Sequence, residues 1–182
     1  MKDFKELIEN FENLKNNIDN ILLNESKILA LNAKALSERT IKEKGFGATY
    51  STNPSYVDYF YGSALNNKGK DFVKKSLNSK NESDRFATWA KFRAVQGLQS
   101  NFVDLTYTGK MFAGMIPGET VLKDGVYYTY FAHNNKEGAD KMNANFERYG
   151  DFIGKALLGE NMENLKKIMT DNLYNEFLKY LK

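Results

Sequence analysis

The stretch Val103-Asp104-Leu105-Thr106-Tyr107-Thr108-Gly109-Lys110-Met111-Phe112-Ala113-Gly114-Met115 starts as an alternation, breaks at a glycine and resumes as a compact apolar run. Val103, Leu105 and Tyr107 alternate with Asp104, Thr106 and Thr108, the pattern of a strand with one buried face. Downstream, Asp124-Gly125 separates Glu119–Leu122 from the aromatic run Val126–Ala132, which signals a hairpin. Val126, Tyr128, Tyr130 and Ala132 then share one face, and Tyr127, Thr129, Phe131 and His133 the other. Pro117-Gly118 reads as a turn before that hairpin.

Helices are expected on either side of these strands. From Asp3 to about Lys44, Phe4, Leu7, Phe11, Leu14, Ile18, Ile21 and Ile28 fall at spacings of three and four, with Ile8, Leu22 and Leu29 widening the stripe. A helix this long packs either on its own domain or on a neighbouring subunit. Gly45 and Gly47 end it. Residues 48–81 read as a partly irregular, tyrosine-rich excursion, and Asp84–Gln96 as a short helix or a loop entering a strand. A helix starts near Lys136, and a last one runs from about Asn161, its expected N-cap, to Lys182. The fold class is therefore α+β: a small antiparallel sheet packed against a long N-terminal helix and C-terminal helices. One domain is expected over residues 1–182, with 1–30 as a helical arm.

Composition narrows the function. Of 182 residues, 42% are hydrophobic and 27% charged, which argues against wholesale disorder. The net charge of +3 is too small to imply nucleic acid by itself. With no cysteine, disulfides, thiolate nucleophiles and cysteine-ligated metals are excluded. No apolar run is long enough to span a bilayer, and the acidic, Asn-rich start does not read as a signal peptide, so a cytoplasmic or virion protein is expected.

Reaction chemistry is not legible in the sequence. His133 is the one histidine and lies at a strand end with no metal-ligand partner at motif spacing. Gly45-Phe46-Gly47 follows a helix and lacks the Lys-Ser/Thr pair of a phosphate loop. No catalytic, cofactor-binding or metal-binding residue is nominated, and a small hydrolase with an unrecognised site is the least supported reading. Lys68, Lys70, Lys74 and Lys75, with Lys80, Arg85, Lys91 and Arg93 beyond, interleave with Phe72, Phe86, Trp89 and Phe92. Basic residues among aromatics suit a nucleic-acid-binding module over residues 68–93, the four lysines facing DNA. A solvated face above a packed aromatic cluster is the plainer reading, since Asp71, Glu82 and Asp84 dilute the charge.

The order of segments resembles the tail-completion, or head–tail connector, proteins of tailed bacteriophages (neck, or virion-morphogenesis, proteins). The likeness rests on a helix ending in a Gly-containing turn and the tyrosine-rich stretch from Tyr50-Ser51 to Tyr61. It rests further on Asp104-Leu105-Thr106-Tyr107-Thr108-Gly109-Lys110-Met111, the aromatic hairpin, Arg148-Tyr149-Gly150-Asp151-Phe152-Ile153-Gly154 and a closing helix. It spans residues from about 30 to 182. Gly114, where a small polar residue is common, and the longer amphipathic N-terminal arm are departures. The resemblance implies a non-enzymatic virion protein without cofactor. Copies would form a homo-oligomeric ring at the neck, joining the portal-side adaptor to the tail tube or tail terminator and letting DNA pass, with non-specific DNA contact and no membrane. On that reading Tyr50, Tyr56, Tyr59, Tyr61, Tyr127, Tyr130 and Phe131 are interface residues. Leu105, Tyr107, Met111, Phe112, Phe146, Phe152 and Ile153 supply the core.

Overall fold

In a computed structural model of the chain, residues 4–60, 65–105 and 110–181 are described. The expected α+β class is present. Helix α1 is Phe4–Lys44 and contains neither glycine nor proline; a short strand β1, Ser55–Tyr56, and a 3-10 turn, Val57–Phe60, follow. Then come α2 (Asn67–Leu77), a 3-10 turn (Glu82–Arg85), β2 (Phe86–Ala87) and α3 (Trp89–Val95). The C-terminal half holds α4 (Lys110–Ala113), β3 (Met115–Lys123), β4 (Val126–His133), α5 (Lys136–Tyr149), α6 (Phe152–Ala156) and α7 (Glu160–Leu181). Two antiparallel two-stranded sheets result, β1 with β2 and β3 with β4. The chain divides into two compact units, Met1–Arg39 with Met111–Lys182, and Thr40–Lys110.

The first unit is organised along α1. Ser37 is buried and donates its hydroxyl to the Ala33 carbonyl at 2.7 Å, with the Ile153 carbonyl as a longer second acceptor at 3.5 Å. Further back, Asn172 Nδ2 donates to Glu25 at 2.9 Å, and Tyr127 donates its hydroxyl to Asp19 at 3.0 Å. Ile153 of α6 lies at Ser37 whereas Asn172 and Glu176 of α7 lie beside residues 21–28, so the chain from α6 through α7 runs antiparallel to α1. Met111, Phe112, Met115, Met142, Phe152, Ile153, Ala156 and Leu165 are buried, and Phe146 packs on Phe152 with ring centroids 4.7 Å apart. Met111, Phe112, Phe152 and Ile153 thus take the core role expected of them. Asp124 and Gly125 both have positive φ, +53° and +76°, the two-residue turn whose twist matches a hairpin.

The second unit has its own apolar centre of Val57, Leu65, Val73, Ala87 and Phe92, with Phe60, Phe72, Leu77 and Trp89 packed around it. Gly45 closes α1 at φ +72°, its N–H donating to the Ile41 carbonyl at 3.1 Å; a Cβ there would stand 2.8 Å from the Phe102 ring. Asn66 caps α2 through Gly69 N–H at 2.9 Å, while its own amide donates to the Gln96 carbonyl at 2.8 Å. This ties the start of α2 to the end of α3.

Several expectations are corrected. Val103–Leu105 is not a strand, and Leu105 has φ +52°. Thr106, Tyr107, Thr108 and Gly109 lie outside the described residues, and the apolar run after them opens as α4. Pro117-Gly118 is not a turn; it sits inside β3 where the register shifts between Pro117 and Thr120. Proline lacks the N–H that a regular ladder would need, so a bulge suits it. Residues 67–77 of the expected irregular excursion are helical. Asn161 does not cap the last helix, which already includes Glu160 after Gly159 at φ +69°.

His133 staples the junction of α4, β4 and α5. Its Nε2 lies 3.0 Å from the Met111 carbonyl and its Nδ1 accepts the Asn135 N–H at 3.2 Å, so the Nε2 carries the proton donated to Met111. Glycines make the space: a Cβ on Gly138 would stand 1.8 Å from the imidazole, and one on Gly114 2.2 Å. Gly138→Ala is therefore expected to displace the ring and lower stability by about 1–3 kcal/mol in urea denaturation. In a His133→Ala background the same substitution is expected to have little further effect.

Candidate functional site

Sequence reasoning leaves interaction surfaces, not a reaction centre, as candidates. The hairpin carries the first. In an antiparallel pair, directly opposed residues share a face. Thr120 opposes Thr129 with hydroxyl oxygens 2.8 Å apart, and Tyr127 reaches Asp19, so that face turns toward α1. The other face holds Ile116 opposite Ala132, Val121 opposite Tyr128, Lys123 opposite Val126, and Tyr130 at the bulge. Ile116, Tyr128 and Tyr130 are 45–58% exposed; Val126, beside the turn, is half-exposed and also borders the groove described next. Such a cluster of apolar and tyrosine side chains on one side of a narrow sheet is the composition of a protein contact.

The hairpin's inner face borders the second feature, an apolar groove of about 460 Å³ between α1, β4 and α7. Leu22, Leu29, Tyr127, Phe131, Leu165 and Met169 are among its lining residues. The three hairpin residues expected at an interface thus part company: Tyr130 points outward, while Tyr127 and Phe131 line the groove. The sequence points to the hairpin Glu119–Phe131 as a contact element without singling out Tyr128, and Ile116 lies outside that span. The alternation of β4 displays two faces, and only the position of α1 decides which is covered.

In the second unit the tyrosines separate in the same way. Tyr59 is 82% exposed, and Tyr56 packs edge-on against Tyr59 and Phe86, at 6.4 and 5.6 Å between centroids. Tyr61 lies outside the described residues. Tyr50 faces inward: its hydroxyl donates to Asp104 Oδ1 at 3.0 Å, and the Arg93 guanidinium sits 5.1 Å above its ring. Arg93 in turn pairs with Asp104 Oδ2 at 2.7 Å and donates through Nε to the Gln99 carbonyl at 2.7 Å, with both charged side chains buried. Burial is the main reason the Tyr50 phenol is pushed up to about 12.

Lys68, Lys70, Lys74 and Lys75 are all exposed on α2. The rings interleaved with them are mostly elsewhere: Phe92 is fully buried, and Phe72 and Trp89 pack on the same core. Base stacking needs open ring faces, and in this stretch Phe86 is the aromatic that is exposed. Among the described residues, no group of three or more His, Cys, Asp or Glu side chains is placed to hold a metal ion, and no helix is long and apolar enough to cross a membrane.

Two measurements test the Tyr50–Arg93–Asp104 cluster. Asp104→Asn leaves a buried guanidinium short of its counter-charge and is expected to cost about 3–5 kcal/mol in chemical denaturation. The double replacement Arg93→Met with Asp104→Leu is expected to recover part of that loss. The Tyr50 phenol ionises later in the folded chain than in the unfolded one, whose tyrosines lose their protons near pH 10. Its contribution is whole below that pH and drains away as pH climbs toward about 12. Tyr50→Phe is expected to remove this part of the alkaline stability loss.

Comparison of the chain with protein-family models, curated proteins and solved structures found no match in any of the three.

Proposed function

We propose that this protein is a self-assembling structural component whose work is done by contact surfaces, and that its place is the head–tail neck of a tailed bacteriophage. There, copies form a ring that joins the portal-side adaptor to the tail and lets DNA pass. The observation that carries the reading is the outer hairpin face, where Ile116, Tyr128 and Tyr130 stand exposed on a sheet of two strands. Large apolar side chains concentrated on one face are favoured where another protein covers them. The phage assignment itself rests on the resemblance in segment order.

Further support comes from how the polar groups are used. Both ring nitrogens of His133 are engaged in holding the fold, and Tyr50, Arg93 and Asp104 satisfy one another. The four α2 lysines give a solvated basic face suited to loose contact with packaged DNA. A dedicated nucleic-acid module has weaker support, because Phe92, Phe72 and Trp89 belong to the core.

Light scattering and negative-stain electron microscopy are expected to find a closed homo-oligomer, and purified virions are expected to contain the chain. Tyr128→Ser with Tyr130→Ser is expected to leave the circular dichroism of the fold unchanged while weakening incorporation into particles at least about tenfold. A strictly monomeric chain absent from virions would sink the assignment.

A further inference from the structure

A strip that is apolar except at Lys15 and Ser26 runs along α1 from the groove to the N-terminus. Phe4, Ile8, Phe11, Lys15, Ile18, Leu22, Ser26, Leu29 and Ala33 succeed one another in steps of three and four residues. That rhythm keeps all nine positions on one side of an α-helix. The last four line the groove beside Tyr127, Phe131, Leu165 and Met169. Toward the start the cover is lost: Phe11 is 52% exposed and Phe4 74%.

The helix that flanks α1 stops short of this end. Asn172 bonds Glu25, and Leu181 lies nine residues further along α7. At equal rise in antiparallel helices, Leu181 comes level with about residue 16 of α1. The dozen residues before that extend roughly 18 Å further. At this end of α1 the side carrying Phe4, Ile8 and Phe11 is open, while the side carrying Leu7, Asn10 and Leu14 is half-buried, and the groove is an apolar surface on the same unit. The groove volume of about 460 Å³ far exceeds the space of one water, about 30 Å³ in the liquid, and its lining is mostly hydrocarbon.

We propose that the arm of one copy, through Phe4, Ile8 and Phe11, docks in the groove of a second copy between α1, β4 and α7. The occupant follows from three observations. Arm and groove match in chemistry, both presenting aliphatic and aromatic side chains. The arm and the α1 residues of the groove lie on one side of one helix, interrupted by Lys15 and Ser26, so the arm continues the register of the residues that line the groove. Finally, α1 runs unbroken from Phe4 to Lys44 without glycine or proline, so an arm cannot fold back into its own groove. Another molecule's arm can reach it.

The contact is asymmetric, arm to groove, and so propagates from copy to copy until a rotation closes it. The arm presents on the order of 400 Å² of apolar surface, given about 150–250 Å² for a whole aromatic side chain. One contact buries less than the roughly 1,200 Å² of a stable pair and becomes firm only in a closed assembly. The inference rests on the self-assembling reading, but is tested separately from it.

The native chain has no cysteine, so single cysteines report contacts cleanly. Full-length Phe11→Cys and full-length Met169→Cys are mixed under mild oxidation, and disulfide dimers are read on non-reducing gels. The mixed dimer is expected to form on the order of tenfold faster than with a control pair, Phe11→Cys and Glu147→Cys, because docking raises the local thiol concentration. A mixed yield equal to the control, or Phe11→Cys linking mainly to itself, overturns arm-in-groove docking. Phe4→Ser with Phe11→Ser, whose helicity is checked by circular dichroism, is expected to shift the assembly toward monomer. If that variant assembles as the native chain does, the docking is wrong while self-assembly stands. A native chain that stays monomeric and absent from virions, with no mixed crosslink, removes both.

Discussion

The first unit depends on a single constraint: α1 is one unbroken rod whose apolar surface must be covered by elements arriving from far along the chain. The rod places Asp19, Glu25 and Ser37 at fixed distances along a line, and each meets a different later element. Tyr127 of the hairpin takes the first, Asn172 of α7 the second and the Ile153 carbonyl of α6 the third. Single hydrogen bonds of this kind contribute only about 1 kcal/mol each. Their role is registration, setting which part of α1 each element covers, while burial of Ile21, Ala30, Leu165 and their neighbours supplies most of the stabilisation.

The second unit rests on a different interaction. Around its aromatic centre, the polypeptide after α3 is held by charge: Arg93 grips Asp104 and the Gln99 carbonyl, and Tyr50 closes the arrangement from the other side. A buried ion pair returns little net stability, because both partners lose hydration. Its effect is selective, since any other path for residues 97–105 would strand a charge away from water. Gly97 at φ +74° lets the chain turn just after α3 so that Gln99 and Asp104 can both come back to Arg93.

This also explains which parts of the fold the sequence could announce. Helical spacing over Phe4–Ile28 and the Asp124-Gly125 turn are local signals, and both elements are there. The alternation that begins at Val103 misleads over Val103–Leu105 because Asp104 is not a solvent-facing residue of a half-buried strand. It is 4% exposed and paired with Arg93, a long-range partner that no periodicity reports. The tyrosine-rich stretch lacks a period for the same reason, since Tyr50 turns its hydroxyl inward while Tyr59 stays in solvent. For the candidate surfaces, alternation in β4 separates Tyr128 and Tyr130 from Tyr127 and Phe131. Which pair faces out is settled by tertiary packing, and that information is absent from any local window.

The two apolar surfaces of the first unit differ in kind, and the difference bears on assembly. The outer hairpin face is shallow, rich in tyrosine, and made by neighbouring residues of one supersecondary unit. The groove is concave and built from three separate elements, so its shape exists only when α1, β4 and α7 are correctly packed. In the docking proposed above, such a groove would receive an arm only on a copy that is itself correctly folded. If copies join arm to groove, the hairpin faces remain on the outside of the assembly, repeated once per copy. Weak contacts repeated in this way add up for a partner that spans several copies and count for little on a single chain. On that proposal copies would associate first, and the hairpin faces would become an effective docking surface only afterwards.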